Sequence, residues 1–157
     1  MGSLKHHLYV HVPFCRLVCA YCDFVTVGGR ADDIPRYTNA LIAEINARPA
    51  PGELRTIYFG GGTPSLLTGP QAERVIRAAT DRWERAVVEE ISVEANPSQR
   101  EMPDWGASGT RRQELFAAYA ELGVSRVMGL LHAFAESDDA LEELAADVKA
   151  AGAELSA

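Results

Sequence analysis

The alternation of strand-patterned and helix-patterned stretches, four times over, limits this chain more than any other feature. It predicts parallel βα units. In the first, Leu8, Val10 and Val12 alternate with Tyr9 and His11, so the aliphatic residues share one face of a strand and the two polar rings share the other. Asp32-Asp33 and Pro35 then read as cap and first-turn residues of a helix that carries Tyr37, Leu41 and Ile45 at helical spacing and ends at Pro49-Ala50-Pro51-Gly52. A second strand, Arg55–Phe59, runs straight into Gly60-Gly61-Gly62-Thr63-Pro64-Ser65. Its helix extends from about Pro70 to Trp83, with Val75, Ile76 and Ala79 on one side. In the third strand, Glu90–Glu94, Ile91 and Val93 face the helices and Glu90, Ser92 and Glu94 face away. Leu115, Phe116, Tyr119 and Leu122 mark a helix, Val124 to Leu131 a fourth strand, and Ser137-Asp138 starts a last helix that stops at Gly152. The fold class expected is α/β, a partial (β/α) barrel of about four βα units with a parallel sheet. Such a sheet leaves edges open, so closure by a second copy, a homodimer, is an expected arrangement.

At 157 residues the chain suits one domain with a sizeable core. The formal net charge of −7 argues against a nucleic-acid partner. No apolar run approaches the roughly 20 residues of a membrane helix, and Met1 to His7 lacks the regions of a signal peptide. A cytoplasmic location is expected, where thiols stay reduced.

That matters because the three cysteines, Cys15, Cys19 and Cys22, lie in a C-x3-C-x2-C spacing just after the first strand. A disulfide framework is disfavoured by the odd count and the tight clustering. Zinc would need a fourth ligand, from His11 or the His6-His7 pair. Three thiolates on a 4Fe-4S cluster would leave one iron open to an outside molecule. Incidental thiols are the bland alternative. Loops at the C-terminal ends of parallel strands carry chemistry in α/β folds, and the cysteine loop sits there. So does the glycine run, which would let backbone amides approach an anion or an amino acid, although turns select glycine anyway. Glu94, at the end of the third strand, is costly on an inner face without a partner; that partner is either a ligand or a neighbouring loop.

Tyr9-Val10-His11-Val12-Pro13-Phe14 leading into the cysteines, with Asp23-Phe24 after them, resembles the radical S-adenosylmethionine (SAM) proteins related to oxygen-independent coproporphyrinogen III oxidase. The Cys22-Asp23-Phe24 ending is similar to the heme chaperone branch. The oxidases themselves carry a further cysteine just after the triplet, where this chain has Asp23-Phe24-Val25. The resemblance implies a cluster on Cys15, Cys19 and Cys22. It implies that Gly61, Gly62 and Thr63 hold the amino end of the methionine moiety and that Glu94, in Glu94-Ala95-Asn96-Pro97, contacts the cofactor. Tyr9 would stand beside cluster and cofactor, Tyr21 against the adenine, and His11 would be a hydrogen-bonded strand residue. The implied chemistry is one-electron cleavage of SAM to methionine and a 5'-deoxyadenosyl radical, which needs an electron donor.

The likeness covers about residues 8 to 98, giving an N-terminal part at 1–98, a polar linker at 99–111 and a further βα unit at 112–157. In the last part, Tyr119–Val127 and the helix from Ser137 resemble the end of luciferase-like flavin or deazaflavin oxidoreductases, and a fusion of two barrel fragments is the reading favoured. The other is a diverged fourth strand of the radical protein, with His132 near the cofactor ribose. The function expected is that of a truncated radical SAM protein of the heme chaperone type. The alternatives are a module binding heme, a porphyrin or a metal through an imidazole such as His11 or His132, without turnover, and an inactive fragment.

Overall fold

The computed structural model describes residues 4–95 and 110–129, together with 142, 146, 147, 149 and 150. Its main sheet has four parallel strands in chain order: β1 (Lys5–Val12), β4 (Glu53–Gly61), β5 (Arg85–Ala95) and β6 (Arg126–Gly129). The helices α1 (Ile34–Ala47), α2 (Gly69–Arg82) and α3 (Thr110–Glu121) lie between successive strands in the chain. That is the βαβ succession of a barrel segment, as the alternation predicts. The expected linker lies outside the described residues except for its last two positions, which already belong to α3. Of the expected last helix, only helical backbone at 142, 146–147 and 149–150 is described. Asn96, Pro97, Ser98 and His132 are also outside the described residues.

The core forms on one face of the sheet. Val10, Val12, Leu54, Ile57, Phe59, Ile91 and Val93 are buried against Ile34 and Ile45 of α1, Val75, Ile76 and Ala79 of α2, and Tyr119 of α3. The period of two in the strands and the helical spacing in α1 and α2 meet there, which is why these segments hold their register. At the start of α1, Asp33 stands at the N-cap and Pro35 in the first turn, as expected, but the Asp33 side chain makes no cap hydrogen bond. Its carboxylate pairs with Arg30 and Arg36 instead, and a single 3-10 turn, Ala31–Asp33, leads into the helix. The N-terminus of α2 is closed by Gln71, whose side-chain oxygen accepts the Thr68 N–H at 2.8 Å.

A second, two-stranded parallel ladder joins β2 (Phe14–Cys15) to β3 (Val27–Gly28). The Val27 N–H donates to the Pro13 carbonyl at 2.8 Å and the Gly29 N–H to the Cys15 carbonyl at 3.0 Å. The ladder closes the cysteine loop at its base. Four strand ends and this loop therefore converge at one end of the sheet.

Candidate functional site

Strand β4 continues through Gly60 and Gly61, which pair with His11 and Val12 of β1, so two of the three glycines expected in a turn are still strand. What would surround a side chain there explains the run. A Cβ on Gly60 would lie 2.7 Å from the Tyr58 ring and 2.9 Å from the Tyr9 ring; one on Gly61 would lie 2.7 Å from the His11 ring. On Gly62 it would meet the Phe14 carbonyl oxygen at 2.7 Å and Cys15 Sγ at 2.9 Å. None of these approaches is open to a residue with a Cβ. Gly61 also has φ +116°, a value that favours glycine. The run is thus a seat for the aromatic and cysteine side chains of the first motif, as well as a wall of the site.

Two further bonds fix that seat. The Gly62 N–H donates to the Val12 carbonyl and the Thr63 N–H to the Phe14 carbonyl, both at 2.8 Å. The Thr63 hydroxyl donates to Cys15 Sγ at 3.5 Å, within reach for a bond to sulfur. Cys15 is buried, whereas Cys19 and Cys22 are half-buried, and all three are free thiols. Burial pushes the Cys15 thiol up, the Thr63 hydroxyl pulls it part of the way back, and Cys22 and Cys19 nearby push it up again. The Cys22 N–H donates to the Cys19 carbonyl at 2.9 Å, turning the loop so that both face the same space.

That space is a cavity of about 520 Å³. Its lining includes Cys15, Cys19, Cys22, Tyr21, Gly61, Gly62, Thr63 and Glu94, that is, eight of the nine residues that the resemblance assigns to the cluster and SAM. The ninth, Tyr9, is not among the lining residues. It is 56% exposed, stacks on Tyr58 with ring centroids 5.9 Å apart, and donates its hydroxyl to His11 Nδ1 at 3.0 Å. His11 Nε2 lies 2.9 Å from the Val25 carbonyl oxygen. A carbonyl only accepts, so the proton sits on Nε2 and Nδ1 receives the tyrosine hydroxyl. With both ring nitrogens engaged and the Tyr37 hydroxyl donating to its carbonyl at 2.6 Å, His11 is a hydrogen-bonded strand residue that ties the far side of the cysteine loop to β1.

Glu94 projects from the polar face of β5, as the alternation predicts. One oxygen accepts the Tyr58 hydroxyl at 2.6 Å and the other the Gly61 N–H at 3.1 Å. Burial first, then the hydrogen bond to Glu94, its charge and the neighbouring Tyr9 push the Tyr58 phenol up to about 12. The sequence reading missed Tyr58. Its position two residues before Gly60, with period two, puts it on the face of Tyr9 and Glu94, and that was the available signal. It also missed Phe24, 71% exposed, and Met128, which pairs with Glu94 across β5 and β6; both line the cavity. Tyr21 is 69% exposed at the rim, its hydroxyl raised first by its hydrogen bond with Cys19.

The three thiols line one cavity, and a 4Fe-4S cluster would take each thiolate on a different iron. His6 and His7 cannot complete a zinc site: they lie about 16 Å or more back along β1 from its end, His6 beside Trp83 and His7 bonded to Thr56.

Comparison with known proteins places these features in a family. Residues 9–151 match the family model described as the Radical SAM superfamily. The chain is 38% identical over 119 residues to the heme chaperone HemW of Lactococcus lactis, covering 76% of this chain and 28% of that protein. It is 33% identical over 134 residues to HemW of Escherichia coli, covering 82% of this chain and 32% of that one. With the oxygen-independent coproporphyrinogen III oxidase of Paracoccus denitrificans it shares 39% over 97 residues, 59% of this chain and 22% of that one. The chain thus spans about a third or less of the length of these relatives. Among solved structures, coproporphyrinogen III oxidase (HemN) from Escherichia coli, described as a radical SAM enzyme, superposes with a TM-score of 0.72 at 24% identity, over 96% of this chain and 35% of that one. That likeness supports the α/β fold with its parallel sheet.

Proposed function

The chain belongs to the radical SAM superfamily, and from that membership we propose that Cys15, Cys19 and Cys22 hold a 4Fe-4S cluster with SAM bound beside it. The observation that carries this reading is the single cavity shared by the three thiols, the glycine wall and Glu94. Glu94 offers a carboxylate to the cationic part of SAM, and Gly61 and Gly62, beside Thr63, let the methionine end approach closely because they carry no side chain. Tyr21, at the rim of the cavity, takes the adenine in this reading. Tyr9 acts from behind the cavity, through Tyr58 and His11. When bound, the cluster supplies one electron to SAM, yielding methionine and the 5'-deoxyadenosyl radical. The protein's own part is to fix donors, exclude water and keep Glu94 aimed inward. An external one-electron donor and a reducing cytoplasmic setting belong to the same reading.

The relatives named as heme chaperones support a heme chaperone type for this chain, with heme or a porphyrin as its further ligand. The Cys22-Asp23-Phe24 ending agrees with that branch. The tail reads best as the fourth strand of the same barrel, not as part of a flavin enzyme: the family match runs to residue 151, and β6 pairs in parallel with β5. A module built on His11 as a ligand fits poorly, since both its ring nitrogens are engaged.

The test is anaerobic reconstitution with iron and sulfide, then dithionite and SAM. The unmodified chain is expected to bind about four irons and to form 5'-deoxyadenosine; Cys19→Ala is expected to lose both. Equal iron and equal spectra in the two proteins contradict the cluster. Iron uptake without 5'-deoxyadenosine leaves a cluster protein that does not turn over SAM. Heme binding is read separately, as a saturable absorbance change on titration.

A further inference from the structure

Thr63 is placed by the family resemblance among the residues that receive SAM, yet its polar atoms are all engaged inside the protein. Its N–H donates to the Phe14 carbonyl at 2.8 Å, its carbonyl accepts the Leu66 N–H at 3.0 Å, and its hydroxyl reaches Cys15 Sγ at 3.5 Å. The residue is 1% exposed, packed where Gly62 already lies against the same sulfur. We infer that the Thr63 hydroxyl is a positioning and tuning group of the cluster, donating to the Cys15 sulfur. The inference rests on the cluster reading above and assigns the hydroxyl within it.

The direction of the bond follows from the donor inventory. A metal-bound cysteine is a thiolate without a hydrogen, so between that sulfur and the hydroxyl only the hydroxyl donates. A donor on a charged acceptor is stronger than a neutral pair. Because the threonine is buried and its backbone is tied at both N–H and carbonyl, the hydroxyl is held on the sulfur at little further entropic cost. Hydrogen bonds to cluster sulfurs favour the more negative, reduced state and so raise the reduction potential. Removing this donor is therefore expected to make the cluster harder to reduce, while leaving the glycine wall and Glu94 in place.

Thr63→Val keeps the shape and removes the donor; Thr63→Ser keeps the donor. Both are compared with the unmodified chain after anaerobic loading, by redox titration followed through the electron paramagnetic resonance (EPR) signal of the reduced cluster, without SAM. At the potential where the parent is half reduced, Thr63→Val is expected to show a reduced-to-oxidised ratio about fivefold lower, equivalent to about 40 mV for one electron. Thr63→Ser is expected to stay within about twofold of the parent. Equal potentials in all three proteins overturn the inference. So does a Thr63→Val variant with an unchanged potential and weakened SAM binding, which would return the hydroxyl to SAM. If Thr63→Val does not take up the cluster, Thr63→Ala is read in the same way, against the same serine control. Failure of the unmodified chain to take up any cluster overturns the underlying reading and this role together, so the two failures are told apart in the parent protein.

Discussion

Gly62 and Tyr58 show what single positions contribute here. A methyl group at Gly62 would have to displace the Phe14 carbonyl or the Cys15 sulfur, and both are held by the ladder at the base of the cysteine loop. Gly62→Ala is expected to cost about 1–3 kcal/mol in denaturant unfolding and to lower iron uptake, because the displaced atom belongs to the first thiol. Unchanged stability and iron content would contradict that seat. Tyr58 gives a pH prediction. In the folded chain its phenol is pushed up to about 12, against about 10 in the unfolded chain. Between those values the folded state keeps a proton that the unfolded state has lost. The contribution is therefore complete below about pH 10 and falls away as pH rises toward 12. Tyr58→Phe is expected to flatten that decline without abolishing it, since Tyr9 and Tyr37 are raised too, each by burial first. Urea midpoints from about pH 9 to about pH 11 check this; parallel curves for parent and variant would contradict it. The glycines were legible in the sequence as close-approach residues, but most of what approaches them was not, because Tyr9 and His11 come from β1 and Phe14 and Cys15 from β2, far away along the chain.

Among the elements, the strands were legible where their period of two was unbroken. Leu8 to Val12 and Glu90 to Glu94 read correctly because each buries one face on the helices. The strand ends were less so. β4 runs on into glycines that carry no pattern, and its continuation is set by pairing with His11 and Val12. The β2–β3 ladder could not be read locally either: each strand is two residues long, and their meeting depends on the loop between them closing. The sheet's centre carries the stability. Ile57, at 0% exposure in the second strand of the four-stranded sheet, is expected to cost about 2–5 kcal/mol when cut to alanine. A loss under about 1 kcal/mol would mean that the face between sheet and helices is not the core. At the opposite end from the cavity, buried Glu53 pairs with Arg55 and Arg85, an ion-pair cluster that closes the strand starts and takes no part in the site.

For the whole molecule, the outer strands set one expectation and the cavity another. Among the described residues, β1 pairs only with β4 and β6 only with β5 in the main sheet, and an outer strand of that kind would suit pairing with a second copy. Self-association is expected to appear as a mass that rises toward twice the chain's 17.0 kDa with concentration in sedimentation equilibrium; a single-chain mass throughout would contradict it. No helix among the described residues is long and apolar enough to cross a membrane. In the proposed function, three thiols, a glycine wall and Glu94 form one site in which SAM meets the cluster. The most direct test of that reading is the EPR spectrum of the reduced, reconstituted chain before and after SAM is added. A changed spectrum is expected in the parent, with a weakened response in Glu94→Gln at equal iron content. A parent spectrum that SAM leaves untouched would contradict it.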